Sequence, residues 1–83
     1  MNENYIDNIV EFWKNQFSTI NWSHEFSLDK SVLNDYQAKR HILCSRLGQT
    51  SLNKEQRKAI IESFKGEARD NVQDIVERYA LKD

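Results

Sequence analysis

Proline is absent from this 83-residue sequence, and glycine occurs only at positions 48 and 66. Proteins rich in sheets and loops use both residues at turns, so their scarcity argues against a β fold and favours helices joined by short turns. The length fits a single domain spanning residues 1–83. A domain this short buries only a small core and is marginally stable by itself, so binding a partner or a second copy would increase its stability.

Cysteine is also scarce, since Cys44 is the only one, and this excludes an internal disulfide framework. A lone thiol is typical of a reducing compartment, and the N-terminus lacks the basic and apolar regions of a signal peptide. No apolar run reaches the length that a membrane-spanning helix needs. We therefore expect a cytoplasmic protein with no membrane segment.

The last third of the chain, residues 53–81, carries the longest helical pattern. Its phase persists across Gly66, which costs a helix about 1 kcal/mol relative to alanine, so the segment is either one long helix or two helices broken there. Asn53 and Gln56 have the spacing of a capping box at its start. The apolar residues that share one face are Ile60, Ile61, Phe64, Ala68, Val72, Ile75, Val76 and Tyr79.

Two earlier helices are predicted, over about residues 5–17 and about residues 30–47. Ser27 or Asp29 is suited to cap the second, and Gly48 stands where a left-handed glycine commonly ends a helix. The sequence thus predicts an all-α fold, a small bundle of three or four helices with a long amphipathic C-terminal helix. The predicted core comprises Ile6, Val10, Trp13, Phe17, Leu33, Tyr36, Leu43, Leu47, Ile61, Phe64, Ala68, Ile75 and Val76.

Aromatic residues crowd the first 26 positions. Tyr5 and Phe12 lie beside the apolar face of the first helix, while Trp22 and Phe26 occupy a stretch without clear periodicity. Two explanations remain open: the rings pack into the core, or Tyr5, Phe12, Trp22 and Phe26 form a protein interface. Acidic neighbours argue against base stacking, which normally occurs in positive grooves.

Charge is distributed unevenly along the chain. Residues 1–38 carry six acids and two bases, a net charge of −4, whereas residues 39–58 carry six bases and one acid, a net charge of +5. These bases flank one turn, so we expect an exposed, contiguous patch that contacts phosphates or an acidic protein, or that only balances the acidic segments of the same molecule. Its members are Lys39, Arg40, Arg46, Lys54, Arg57 and Lys58.

Arg40 has a second feature, because it interrupts the apolar stripe of the second helix. Either the helix bends there, or the aliphatic stem of Arg40 lies along the edge of the core with its charged head in water. Nucleic-acid recognition is disfavoured, because the chain is not basic overall and its last segment turns acids outward.

Metal binding and catalysis have weak support in the sequence. His41 and Cys44 are three residues apart on one helix face, but His24 is the only other histidine and zinc requires three or four ligands. We expect a surface histidine and a half-buried thiol instead. No phosphate-binding loop, zinc-helix motif or nucleophile elbow occurs, so we expect no metal, no cofactor and no enzymatic activity.

The chain shows no diagnostic family motif. In general type, a short, proline-free chain rich in acids and aromatics, it resembles small regulators and inhibitors encoded by phages and mobile elements. The sequence therefore favours a non-enzymatic regulator or inhibitor that binds a partner protein. The alternatives are a nucleic-acid-associated protein that uses residues 39–58, and a homodimeric structural or assembly subunit.

Overall fold

The computed structural model describes the backbone of residues 2–82 and the side chains of residues 8–82. Over this range the chain forms four α-helices, which are α1 (Asn2–Ser18), α2 (Lys30–Leu47), α3 (Lys54–Glu62) and α4 (Gly66–Tyr79). A short 3₁₀ helix, Trp22–Phe26, connects α1 to α2. The predicted all-α bundle is confirmed.

The helix starts follow from local sequence. Asp29 caps α2 by accepting a hydrogen bond of 2.9 Å from the backbone N–H of Ser31. At the start of α3, Asn53 Oδ1 accepts from the N–H of Gln56 at 2.8 Å, and Gln56 Oε1 accepts from the N–H of Asn53 at 2.9 Å. This reciprocal pair is the predicted capping box, and it satisfies two backbone donors that the first turn leaves free.

The C-terminal apolar stripe is divided between two helices. The first, α3, ends at Glu62, and α4 begins at Gly66, whose φ of +60° lies in the left-handed region. A glycine reaches that region without the steric cost that a Cβ would impose. The predicted break at Gly66 is thus present, and α4 folds back against α3.

The end of α2 differs from the prediction. Gly48 has φ −64° and ψ −11°, so the expected left-handed glycine at this position is wrong. The chain stays right-handed here because successive N–H groups keep finding helical carbonyls: Gln49 donates to Arg46 at 3.1 Å and Thr50 donates to Leu47 at 3.0 Å.

Two short parallel strands were not predicted. The strands β1 (Ser51–Leu52) and β2 (Leu81–Lys82) pair Ser51 with Leu81 and Leu52 with Lys82. The N–H of Leu81 also donates to the carbonyl of Thr50 at 3.0 Å. Strands of two residues are too short to show an alternating pattern, so only the tertiary structure reveals them. They fix the end of α4 beside the loop that precedes α3.

The core lies where the helices and the 3₁₀ segment meet. Most predicted members are buried, while Val10, Leu33, Phe64 and Ala68 are partly buried against it. The side chain of Ile6 lies outside the described residues. The predicted core omitted Leu52, because an isolated apolar residue in a turn has no periodicity, and it also omitted Ile20, Cys44 and Ala80. Ile60 and Val72, which belong to the predicted C-terminal stripe, and Trp22, for which core packing was one of two explanations, are buried as well.

Candidate functional site

Of the two explanations that the sequence left open for Trp22, core packing is the one the structure supports. Only 6% of the residue is exposed, and its ring contacts Phe17 and the edge of Tyr36, both at 6.3 Å between centroids. The Tyr36 hydroxyl donates to Glu25 at 3.5 Å. Burial, and then the nearby Glu25 carboxylate, raises the pKa of Tyr36, so the ring serves as a neutral donor.

Phe12 lies on the outside of α1 and is half exposed, at 50%. Its ring meets the buried Trp13 edge-on, with centroids 5.2 Å apart and an interplanar angle of 88°. Beside it runs a groove of about 390 Å³ lined by Asn8, Ile9, Phe12, Trp13 and Thr50. The sequence does not predict that Thr50 lines this groove, because its position depends on how α1 packs against the loop after α2. The side chain of Tyr5 lies outside the described residues.

Phe26 is farther from Phe12 than the sequence suggested. It ends the 3₁₀ helix, just before α2, and is 69% exposed beside the fully exposed Leu28. Phe12 shares its groove with Thr50, just beyond the other end of α2. An 18-residue helix is about 27 Å long, so the two exposed rings lie near opposite ends of α2.

The basic residues of stretch 39–58 line three different grooves. Lys39 and Arg46 face the end of α1, where Arg46 Nη1 donates to Gln16 Oε1 at 3.5 Å. Lys39 also pairs with Asp35 at 3.1 Å, one helical turn earlier. Both charges are exposed and partly engaged within the molecule.

A second groove, of about 340 Å³, lies between α3 and α4. Lys54, Arg57 and Lys58 line it together with Arg69 of α4, which sequence reasoning missed because it is distant along the chain. Arg57 is more buried than expected, with 14% of its side chain exposed, and its Nε lies 4.0 Å from Glu77 Oε1.

The third and largest groove, about 670 Å³, separates α2 from the end of α4. Arg40 and His41 line it from α2, and Tyr79 lines it from α4. Arg40 is partly buried, whereas the prediction placed it with the exposed residues of the basic patch. Its position within the apolar stripe of α2 accounts for this burial.

Cys44 also borders this third groove, as a free thiol with 6% exposure. Burial raises its pKa, so the sulfur stays protonated and is a poor nucleophile and metal ligand at neutral pH. His41 is exposed nearby. Among the side chains of residues 8–82, no three histidine, cysteine or acidic residues gather where they could hold a metal ion.

No protein-family model, curated protein or solved structure matches the chain. Within residues 2–82, none of the helices combines the length and the apolar character that crossing a membrane requires.

Proposed function

We propose that this protein is a small regulator or inhibitor that binds a partner protein through the face of α1 around Phe12. The observation that carries the proposal is the half-exposed Phe12 ring beside an apolar groove. A ring of this size, half in water at the edge of a core, gains free energy when a partner covers it.

The geometry around Phe12 is suited to an anchor. Trp13 holds the ring from one side by an edge-on contact, so Phe12 loses little side-chain entropy on binding. Thr50 and Asn8 supply polar groups at the rim of the groove, where interfaces commonly place them.

The charge near this face indicates the kind of partner. Glu11, next to Phe12, has 60% of its side chain exposed and forms a surface pair of 3.5 Å with Lys14, which water and salt weaken. The N-terminal segment, residues 1–38, carries a net charge of −4. A partner with basic residues around an apolar pocket would therefore be attracted and oriented correctly.

The proposal extends to the setting and to the class of protein. A buried, unpaired Cys44 is compatible with the reducing cytoplasm, where we place the protein. The proposed action is non-enzymatic: the protein occupies a surface of its target, as small regulators encoded by phages and mobile elements do.

The experiment compares two exposed phenylalanines at opposite ends of α2. The partner is first identified by co-purification from the native host, and its affinity is then measured with both purified proteins by calorimetry. Phe12→Ala should weaken binding by about thirtyfold, the effect of losing a typical aromatic anchor. Phe26→Ala, the matched control, should bind like the wild type, and both variants should melt near the wild-type temperature.

Equal affinity for wild type and Phe12→Ala would refute this proposal. A mass of twice the monomer that Phe12→Ala abolishes, with no other partner bound, would assign the face to a homodimer instead.

A further inference from the structure

Arg40 occupies a position in α2 where an apolar residue would stabilise the fold. Tyr36 lies one turn before it and Cys44 one turn after it, and both are buried. Arg40 is four residues from each and so lies on the same face of α2, and its charge partly offsets the rise in pKa that burial causes in the Tyr36 hydroxyl and the Cys44 thiol. A cation is thus set into the stripe that packs α2 against α4.

A fully buried charge is normally paired with an opposite charge, whereas the head of a partly buried arginine can stay in water. Among the residues whose side chains are described, Arg40 forms neither an ion pair nor a hydrogen bond. Asp74 of the facing helix α4 contributes to the raised pKa of Cys44, after burial. Its carboxylate forms an ion pair with Arg78 at 3.2 Å and not with Arg40. Among the described residues, no Arg40 nitrogen is both buried and without a hydrogen-bond partner, so the guanidinium group reaches water and its donors are available to a bound ligand.

The groove beside Arg40 has the composition of an anion site. Its 670 Å³ is bordered by side chains that can donate hydrogen bonds, among them Gln37, Ser45, Gln49 and the hydroxyl of Tyr79. None of the lining residues is acidic among those whose side chains the structure describes. The groove between α3 and α4 differs in this respect, because Glu62 and Glu77 line it and would repel an anion.

We propose that this groove, between α2 and the end of α4, binds an oxyanion, either a carboxylate or a phosphate group, with Arg40 as its principal ligand. Arginine suits this role because its planar fork donates two parallel hydrogen bonds to such a group. The site is separate from the surface around Phe12 and does not depend on the function proposed for it.

Two readouts test the site in the intact protein, with inorganic phosphate and succinate as separate probes at about physiological ionic strength, where weak surface attraction is screened. The first is the change in nuclear magnetic resonance chemical shift of the Arg40 Nε–H group and of the amides of Gln37 and Gln49 as each probe is added. The second is the rate at which iodoacetamide alkylates Cys44, which an occupant of the groove should lower. The probe with the lower dissociation constant identifies the anion class.

Arg40→Met should lower the affinity for the better probe by about tenfold to a hundredfold, because the charged hydrogen bonds are lost. Its melting temperature should not fall, since methionine keeps an apolar stem in the stripe and Arg40 has no ion pair or hydrogen bond to lose among the described residues. Arg46→Met is the matched control, because this arginine is on the same helix but lines a different groove. It should retain the affinity of the wild type.

Three results would overturn the proposal. One is the absence of saturable binding by either probe, and another is an equal loss of affinity in Arg40→Met and Arg46→Met, which would indicate general charge attraction. The third is a fall in the melting temperature of Arg40→Met with unchanged probe affinity, which would make Arg40 a structural residue.

Discussion

Arg57 Nη1 donates a hydrogen bond of 2.6 Å to the backbone carbonyl of Leu52, the last residue of β1. The same side chain approaches Glu77 of α4 at 4.0 Å, and its buried Nε has no hydrogen-bond partner among the described residues. One arginine of α3 thereby connects the strand before it to the helix after it. Arg57 is a member of the predicted basic patch whose position indicates a structural role.

Arg57→Met should destabilise the protein by about 1–3 kcal/mol, because the Leu52 carbonyl would lose a charged donor. The free energy of unfolding, measured by urea denaturation, checks this expectation. Lys58→Met is the matched control, since Lys58 is the next residue of the same helix and is exposed. Equal stability of Arg57→Met and the wild type would show that the Leu52 contact contributes little.

The residues that sequence reasoning placed well depend on local geometry. The capping box at Asn53 and Gln56, the cap at Asp29 and the outward position of Phe12 all follow from spacing along a single helix. The break at Gly66 likewise follows from the conformational freedom of one residue.

The positions that the sequence left open or missed depend on contacts between distant segments. Trp22 is buried because it packs against Phe17 of α1 and Tyr36 of α2. The residues around Trp22 have no periodic pattern that would predict these contacts. The basic stretch 39–58 is continuous in sequence, but the helix α2 turns its charges toward different neighbours. Arg69 joins the α3–α4 groove only because the chain reverses at Gly66.

The aromatic centre of the core offers a second prediction. Phe17 is fully buried and its ring meets Phe64 edge-on, with centroids 6.1 Å apart. Phe17→Ala should cost about 3–5 kcal/mol, a large part of the stability of a domain this small. Phe64→Ala should cost less, because Phe64 is only partly buried and part of its ring already faces water.

Phe26→Ala serves as the control for this pair, since 69% of Phe26 is exposed and its removal should change stability by no more than about 0.5 kcal/mol. Thermal unfolding followed by circular dichroism ranks the three variants. A larger loss from Phe64→Ala than from Phe17→Ala would contradict the packing described for the core.

The junction between α3 and α4 provides the last prediction. A Cβ built on Gly66 would meet no atom within 4 Å, so substitution there is opposed only by the backbone, whose φ is +60°. Gly66→Ala should therefore cost about 1–2 kcal/mol. Gly48→Ala is the control, since Gly48 is already right-handed and its added Cβ would lie 3.4 Å from the nearest atom, the carbonyl oxygen of Cys44.

The control should be close to neutral, or stabilising by up to about 1 kcal/mol, because alanine restricts the unfolded chain more than glycine does. Urea midpoints of the two variants give the comparison, and circular dichroism reports their helix content. If Gly66→Ala instead gained both stability and helix, α3 and α4 would have joined into the single long helix that the unbroken apolar stripe also allows. Arg57 would then lose its approach to Glu77 of α4, and the parallel pairing of β1 with β2 would be lost.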